Sequence, residues 1–253
     1  MSVLLLDAGN TRLKWGLHDD TGWLAQDTLD YARIADLPQA VAAHGSPDRA
    51  LGANVAGERV RTTVEAALAD ARVALAWNAP AREQCGVRSS YGEPAQLGAD
   101  RWAAVIGARA LSGAGAAAVV VNAGTAVTVD ALTADGVFLG GLILPGLTLM
   151  RDALAEGTAQ LPRADGTFAF FPANTADAIA SGALNAACGA IERMADYLEA
   201  SGGVAPLIVL SGGDAARLVP HLAVETRLVD NLVLEGLWAV AQHNNAAPAT
   251  PPR

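Results

Sequence analysis

The chain has 253 residues, of which 52% are hydrophobic and 17% charged, and its formal net charge is −9. This composition excludes a disordered chain and predicts a compact protein with a full core, in one large domain or two small ones. The negative charge and the lack of any run of Lys or Arg argue against a surface that binds nucleic acid.

The start of the chain and its cysteines predict a cytoplasmic protein. No basic segment followed by an apolar stretch opens the sequence, so no signal peptide is expected. The longest apolar run, residues 137–150, contains three glycines and a proline and is too short to cross a bilayer, so no membrane partner is expected. Cys85 and Cys188 match no metal-binding spacing, and each is expected to be a reduced thiol.

The first element is a predicted β-hairpin. Residues 3–6 form a wholly apolar run typical of a buried strand, and the segment Asp7-Ala8-Gly9-Asn10-Thr11 then has the composition of a tight turn before a second strand. Backbone N–H groups in such a tip can cradle a phosphate, to which Thr11 would add a hydroxyl and Lys14 a positive charge. Asp7 could hold a metal ion or its water. An ordinary hairpin, whose Asp only satisfies turn amides, remains the alternative.

A second copy of this pattern occurs in the middle of the chain. The apolar run 117–121 is followed by Asn122-Ala123-Gly124-Thr125-Ala126 and then by another strand. Self-similarity of this kind predicts two related halves that face each other across a cleft, each offering a hairpin tip to one ligand. The phosphates of a nucleotide fit this arrangement.

The remaining elements of the first half are predicted in chain order, with a kink at Pro38 in the first helix. They are a strand at 23–29, a helix at 32–43, a strand at 51–55, a helix at 58–71, a strand at 73–77, a loop-rich passage at 78–96 and a helix from about 97 to 111. Ser112-Gly113-Ala114-Gly115 is the predicted linker.

The second half repeats this order, and Asn174 or Thr175 is the predicted N-cap of its long helix. Its predicted elements are strands at 117–121, 126–132 and 137–144, helices at 147–154 and 175–199, a strand at 207–210, a short helix, a strand at 224–228 and a helix at 232–242.

Two βββαβαβ halves predict an α/β protein built from two ribonuclease H-like domains of the actin-like ATPase fold. The predicted domains are residues 1–113 and 114–245, and the proline-containing tail 246–253 is expected to be disordered.

Four motifs in this order and spacing carry a resemblance to a known family. They are Asp7-x-Gly9-Asn10-Thr11; Gly98-Ala99-Asp100-Arg101; Gly124-Thr125-Ala126 with Thr128 and Asp130; and Gly140-Gly141-x-Ile143-x-Pro145-Gly146. From residue 3 to about residue 240 the chain resembles the type III pantothenate kinases, a family that includes proteins called Bvg accessory factors. The resemblance implies ATP-dependent phosphorylation of pantothenate to 4′-phosphopantothenate, the first step of coenzyme A biosynthesis.

The resemblance also implies a substrate pocket and a catalytic residue. The implied pocket residues are Tyr91, Gly98, Ala99, Asp100, Arg101 and Thr175. Asp100 would accept the proton of the pantothenate hydroxyl, and Arg101 would pair with the pantothenate carboxylate. From the residues alone, Asp100 could instead cap a helix, Arg101 could be a solvated helix-face arginine, and Thr175 could be a plain N-cap.

The resemblance places ATP on the first hairpin and on one residue of the second. The implied ATP-binding residues are Asp7, Ala8, Gly9, Asn10, Thr11, Arg12, Leu13, Lys14 and Thr125. Asp7, with Asp130 as a further option, would hold Mg²⁺ through water. Gly212-Gly213 resembles a glycine pair that lies against adenine or ribose in actin-like folds, although a strand-to-helix turn explains it equally well.

Asn122 departs from the family pattern. The family usually has Asp here, which helps to bind an activating monovalent cation, K⁺ or NH₄⁺. Asn supplies an oxygen but no charge, so weaker or absent activation is expected.

Several expectations concern partners and packing. The resemblance implies a homodimer whose substrate pocket draws on both subunits. Two alternatives to pantothenate phosphorylation stay open: an actin-like enzyme with another acceptor, and a nucleotide-binding regulator without turnover. His18, His44, His221 and His243 are expected at the surface. Leu142, Ile143, Leu144 and Leu147 are expected in the core.

Overall fold

The structure, a computed structural model, describes residues 1–161, 163, 165–202 and 204–246. The chain forms two compact units, of which the first comprises Met1–Leu111 and the last helix, and the second comprises Ser112–Asn231. The predicted linker at 112–115 therefore begins where the chain passes from one unit to the other. Of the predicted disordered tail, residues 247–253 lie outside the described residues.

The first unit is built on a five-stranded sheet with the order β3-β2-β1-β4-β5. Strands β1 and β2 are antiparallel, β2 and β3 are antiparallel, and β4 runs parallel to both β1 and β5. The elements from the start of the chain to the unit boundary are β1 Val3–Ala8, β2 Leu13–Asp19, β3 Gly22–Leu29, α1 Leu37–Ala42, β4 Arg49–Asn54, α2 Glu58–Asp70, β5 Leu75–Trp77, β6 Glu83–Gln84, β7 Val87–Ser89 and α3 Ala99–Ser112. Two 3₁₀ helices, Tyr31–Asp36 and Pro94–Gln96, complete this part.

The second unit repeats this strand order. Its elements are β8 Ala118–Ala123, β9 Ala126–Leu132, β10 Val137–Pro145, α4 Leu147–Gly157, α5 Thr175–Gly202, β11 Leu207–Ser211, α6 Ala215–Leu218, a 3₁₀ helix Val219–His221, and β12 Thr226–Leu228. Within the unit the strands lie in the order β10-β9-β8-β11-β12, with an antiparallel meander followed by two parallel strands. The internal repeat predicted from the two hairpins is therefore confirmed.

Each unit has its own apolar core. All six residues of β1 are buried, and Leu4 and Leu6 belong to a cluster that includes Val64 and Leu68 of α2. In the second unit Val119 and Val121 of β8 pack in one cluster with the buried face of α5. Buried central strands hold their carboxyl ends in fixed positions, and both hairpin tips begin at such an end.

The last helix, α7 Leu232–Ala246, belongs to the first unit and not to the second domain that had been predicted for residues 114–245. It crosses α3 at two glycines: a Cβ on Gly236 would lie 1.7 Å from the carbonyl oxygen of Ala103, and one on Gly107 would lie 2.5 Å from that of Leu232. Backbone-to-backbone contact of this kind needs small residues on both helices, and a local apolar pattern does not reveal which unit supplies the partner.

Two packing predictions are wrong. His18 is buried rather than at the surface: its ring stacks on Trp238 with centroids 3.9 Å apart and meets the edge of Trp23 at 4.6 Å, and burial lowers the pKa of His18. Leu142 and Ile143 are exposed rather than in the core, at 41% and 66%, because an apolar run predicts a strand but not what covers its faces.

Other packing expectations are confirmed. Leu147 is buried, whereas His44 and His243 are exposed. Among the described residues, no helix has the length and apolarity needed to cross a bilayer.

Candidate active site

The β1–β2 hairpin carries a buried ion pair directly behind its tip. The register places Asp7 opposite Lys14, so both side chains lie on the same face of the sheet. Lys14 Nζ is 3.3 Å from Asp7 Oδ2, and the Asp7 side chain is almost fully buried. Burial raises the pKa of the Asp7 carboxyl, while the charge of Lys14 acts in the opposite direction.

The tip itself consists of four residues, Gly9 to Arg12, between the two strands. Asn10, Thr11 and Arg12 are exposed, so their side chains are accessible to a ligand. A residue from outside the hairpin reaches the tip: the hydroxyl of Tyr31 donates a hydrogen bond to the carbonyl oxygen of Gly9. Tyr31 could not be recognised from the sequence, because no motif marks an aromatic residue that follows a strand.

Asp100 lies in the first turn of α3, one residue after the helix begins. The carbonyl of the preceding Gly98 accepts the N–H of Trp102 at 3.0 Å, so Gly98 and not Asp100 occupies the cap position. Asp100 Oδ1 accepts the N–H of Arg101 at 2.8 Å, which satisfies one amide of the first turn. A Cβ on Gly98 would lie only 2.5 Å from Asp100 Oδ1, so this orientation of the carboxylate depends on the glycine.

Arg101 is a buried arginine and not a solvated helix-face residue. Its Nη1 lies 3.3 Å from the hydroxyl of Tyr91, which comes from the segment between β7 and the 3₁₀ helix at Pro94–Gln96. A buried guanidinium held by a tyrosine is suited to a planar anion such as a carboxylate.

The β1–β2 hairpin and the start of α3 lie close together within the first unit. The carbonyl oxygen of Ala8 accepts the N–H of Val55 at 3.0 Å, and the Val55 side chain lies beside Gly98 at the start of α3. The charge of Asp100 also raises the pKa of Asp7. The structure therefore brings together Asp7, Lys14, Tyr91, Asp100 and Arg101, which are all predicted site residues. The arrangement places an exposed N–H-rich tip, two acids and two cations around one region.

Two glycine-containing turns pack against the tip of the second hairpin, between β8 and β9. The N–H of Gly146 donates to the Thr125 carbonyl at 2.9 Å, and a Cβ on Gly146 would lie 2.1 Å from the carbonyl oxygen of Gly124. Gly212 has φ of +103°, and its Cβ would lie 2.3 Å from the Ala123 carbonyl oxygen. Thr125 is exposed. The Gly212-Gly213 turn is thus a strand-to-helix turn that also lies against this tip.

Asn122 and Asp130 occupy different depths of the same pair of strands. Asn122 is half-buried near the end of β8, where it pairs in register with Thr128 and with Ser211 of β11. Asp130 is 1% exposed and lies in β9 four residues beyond Ala126, roughly 13 Å along the strand from the tip. Its depth argues against a metal-binding role for Asp130 at the tip.

Thr175 is the first residue of α5. Asn174 Oδ1 accepts the N–H of Asp177 at 2.9 Å, so Asn174 is the N-cap and the plain N-cap alternative for Thr175 is wrong. Thr175 instead lines a mainly apolar cavity of about 850 Å³ in the second unit, with Pro145, Met150 and Ile179 among its walls.

Comparison with known proteins identifies the relatives of this chain. A model of the type III pantothenate kinase family matches residues 3–197. A type III pantothenate kinase from Aromatoleum aromaticum is 52% identical over 245 residues, which cover 97% of this chain and 100% of that protein. One from Dechloromonas aromatica is 46% identical over 239 residues, 94% of this chain and 98% of that protein.

Solved structures agree on the fold. A Campylobacter jejuni protein described as a Baf family transcriptional activator has a TM-score of 0.62 at 20% identity, covering 96% of this chain and 100% of that one. A Sinorhizobium meliloti protein described as a 2-dehydro-3-deoxygalactonokinase has a TM-score of 0.62 at 19% identity, covering 97% and 100%. At these identities the likeness shows the fold alone, and the predicted actin-like fold class is confirmed.

The Asp7–Lys14 pair generates a prediction about stability. Lys14→Met leaves a buried carboxylate without its cation, which costs about 3 kcal/mol of unfolding free energy at neutral pH. Burial already raises the pKa of Asp7 in the folded state above its unfolded value, and the loss of Lys14 raises it further. The folded variant therefore binds more protons than the unfolded chain, and its free energy of unfolding falls as the pH rises. Urea unfolding should therefore show a larger deficit, relative to the natural chain, at about pH 7.5 than at about pH 5.

The matched control is the double variant Asp7→Asn/Lys14→Met, which removes both charges. It should lose the additional pH dependence and regain part of the stability. An equal deficit of Lys14→Met at both pH values would contradict the assignment of the effect to Asp7.

Proposed function

The chain belongs to the type III pantothenate kinase family, and from this membership we propose how its own residues carry out the family's reaction. It is an ATP-dependent small-molecule kinase that phosphorylates pantothenate, at the start of coenzyme A biosynthesis. The observation that carries the residue assignments is the position of the β1–β2 hairpin beside the start of α3, where Val55 contacts both Ala8 and Gly98. We place the reaction in the cytoplasm, where ATP is available and the free thiols of Cys85 and Cys188 stay reduced.

On the nucleotide side, the segment from Asp7 to Lys14 binds the phosphates of ATP. Its exposed tip offers backbone N–H groups and the Thr11 hydroxyl, and the ammonium of Lys14 supplies charge from the return strand. Thr125 is a further ATP contact, because it is exposed at the tip of the equivalent hairpin. Gly212-Gly213, which lies against that tip, offers a flat backbone surface to the nucleoside.

Asp7 is the proposed protein partner of Mg²⁺. Among the described residues, no three His, Cys, Asp or Glu side chains gather into a metal-binding cluster, so an all-protein cage is not available there. Magnesium fits a site with one carboxylate, because it keeps several waters and takes oxygens from the phosphates. When bound, the ion neutralises charge on the phosphates; Asp7 would hold one of its waters.

On the acceptor side, Asp100 accepts the proton of the pantothenate hydroxyl while the hydroxyl oxygen attacks the γ-phosphorus and ADP leaves. Arg101 pairs with the pantothenate carboxylate, and its burial and its contact with Tyr91 hold the guanidinium in place. The backbone of Gly98 and Ala99 lies beside the acceptor, and Thr175 adds a contact from the wall of the apolar cavity.

The direct test of these assignments is Asp100→Asn. Loss of the base should lower kcat for pantothenate about 10²- to 10⁴-fold, while the melting temperature and the Kd for ATP, measured by calorimetry, stay unchanged. Asp196→Asn, an exposed helical position on α5, is the matched control and should retain full turnover. Near-normal turnover of Asp100→Asn would remove Asp100 from the role.

In the natural chain, a coupled assay separates the alternatives: turnover only with another acceptor, or ATP binding without turnover, would contradict pantothenate phosphorylation.

Asn122 leads to a second proposal, that this kinase does not depend on a monovalent cation. A neutral amide binds K⁺ more weakly than a carboxylate, so the rate should stay flat when Na⁺ is replaced by K⁺ or NH₄⁺. Asn122→Asp restores the charge, and its rate should rise with K⁺ concentration. A strong K⁺ requirement in the natural chain would contradict the proposal.

The third proposal is a homodimer formed through the second unit. Exposed large apolar side chains gather there on β10, on α4 and in the segment before α5, which is more than a monomer normally leaves uncovered. They are Leu139, Leu142, Ile143, Leu149, Leu154, Phe170 and Phe171. A second copy of the chain is the partner that the family resemblance favours.

Light scattering tests the dimer. Ile143→Lys should shift the chain from twice the monomer mass to the monomer mass, because a charge is buried unpaired at the interface. The substitution leaves the fold intact, since Ile143 is 66% exposed in the single chain. Leu24→Lys, at an exposed strand position in the first unit, is the control and should stay dimeric. A monomeric natural chain would overturn the proposal.

A further inference from the structure

Tyr31 reaches the first hairpin tip because of the sheet register. Leu29, the last residue of β3, pairs with Leu13, the first residue of β2. Strand β3 therefore ends at the same end of the sheet as the hairpin tip. Two residues later the 3₁₀ helix Tyr31–Asp36 begins. The Tyr31 side chain packs partly buried against the apolar core of the first unit, which fixes the ring.

The hydroxyl of Tyr31 donates to the carbonyl oxygen of Gly9, at the start of the tip. The peptide bond is planar and trans, so fixing this carbonyl also fixes the N–H of Asn10 in the opposite direction. Gly9 carries no Cβ, and a Cβ placed there would meet only the Arg12 carbonyl oxygen at 3.7 Å. No side chain restricts the backbone at Gly9, and the tyrosine hydrogen bond holds this peptide in one orientation.

The tyrosine stays a donor at any working pH. Burial, and then the neighbouring Asp7 carboxylate, raise the pKa of Tyr31 to about 12. The Gly9 carbonyl that accepts this hydroxyl lies two residues after Asp7 in the chain. Tyr31 thus contacts the hairpin tip at Gly9, although it belongs to none of the motifs that identify the family.

We propose that Tyr31 is a positioning residue for the nucleotide: by holding the Gly9 carbonyl, it aims the Asn10 N–H at the phosphates of ATP. The inference rests on the proposed function of the hairpin tip. It assigns Tyr31 no part in proton transfer and no contact with pantothenate. Its effect is confined to the affinity for ATP.

The test is Tyr31→Phe, which keeps the ring and removes only the hydroxyl. The KM for ATP should rise about three- to tenfold, as expected for the loss of one hydrogen bond that orders a donor. The KM for pantothenate and kcat at saturating ATP should stay within about twofold of the natural chain, because no reacting group moves. Tyr197→Phe, an exposed tyrosine on α5, is the matched control and should change none of these values.

A binding measurement separates this inference from the function on which it rests. Lys14 is the only lysine in the sequence, so acetylation of its amine reports the occupancy of the tip, and peptide mass spectrometry distinguishes it from the chain's amino terminus. Mg²⁺-ATP should protect Lys14 from acetylation in the natural chain. Half-protection in Tyr31→Phe should need about three- to tenfold more ATP, because one hydrogen bond is lost.

The outcomes are distinct. Protection of both chains at the same ATP concentration would overturn the role of Tyr31 while leaving the nucleotide site intact. A parallel rise of both KM values together with a lower melting temperature would show a merely structural role and would also overturn it. Absence of ATP protection in the natural chain would overturn the nucleotide site and the inference with it.

Discussion

The charge balance around one buried carboxylate constrains the whole first unit. Asp7 closes a strand whose residues are all buried, and water cannot solvate its charge there. Lys14, fixed opposite by the hairpin register, is the cation that compensates for it, and the nearby Asp100 adds repulsion that a bound cation would relieve. A region with this balance favours a ligand that brings both phosphates and a divalent ion, since each then finds a partner of opposite sign.

The two units share one topology but hold their hairpin tips in different ways. Both place a hairpin tip at the end of a buried strand, with two parallel strands on the other side of that strand. In the first unit a tyrosine hydroxyl holds the tip from outside, whereas in the second unit the backbone at Gly146 and Gly212 packs directly onto it. The first tip consequently depends on a side chain, while the second depends on the absence of side chains.

The hairpins, the repeat and the site motifs could be predicted because glycine turns after apolar runs are local signals. What could not be predicted depends on contacts distant in sequence. The burial of His18 requires Trp238, which only the final helix supplies. The contact of Tyr31 with the tip follows from strand register, and the exposure of Ile143 follows from what covers a sheet face. The spacing of neighbouring residues reveals none of these contacts. For the same reason, the motif that contains Asp100 could not show that Gly98 leaves room for the Asp100 carboxylate.

The return of α7 to the first unit has a consequence for biosynthesis. The second unit is contiguous in sequence, whereas the first unit is complete only when its final helix has been translated. Until Gly236 seats against α3, the apolar surface that α7 covers is open to water and to chaperones. Completion of the first unit is thereby tied to completion of the polypeptide, so a nascent chain cut short before α7 leaves that surface uncovered.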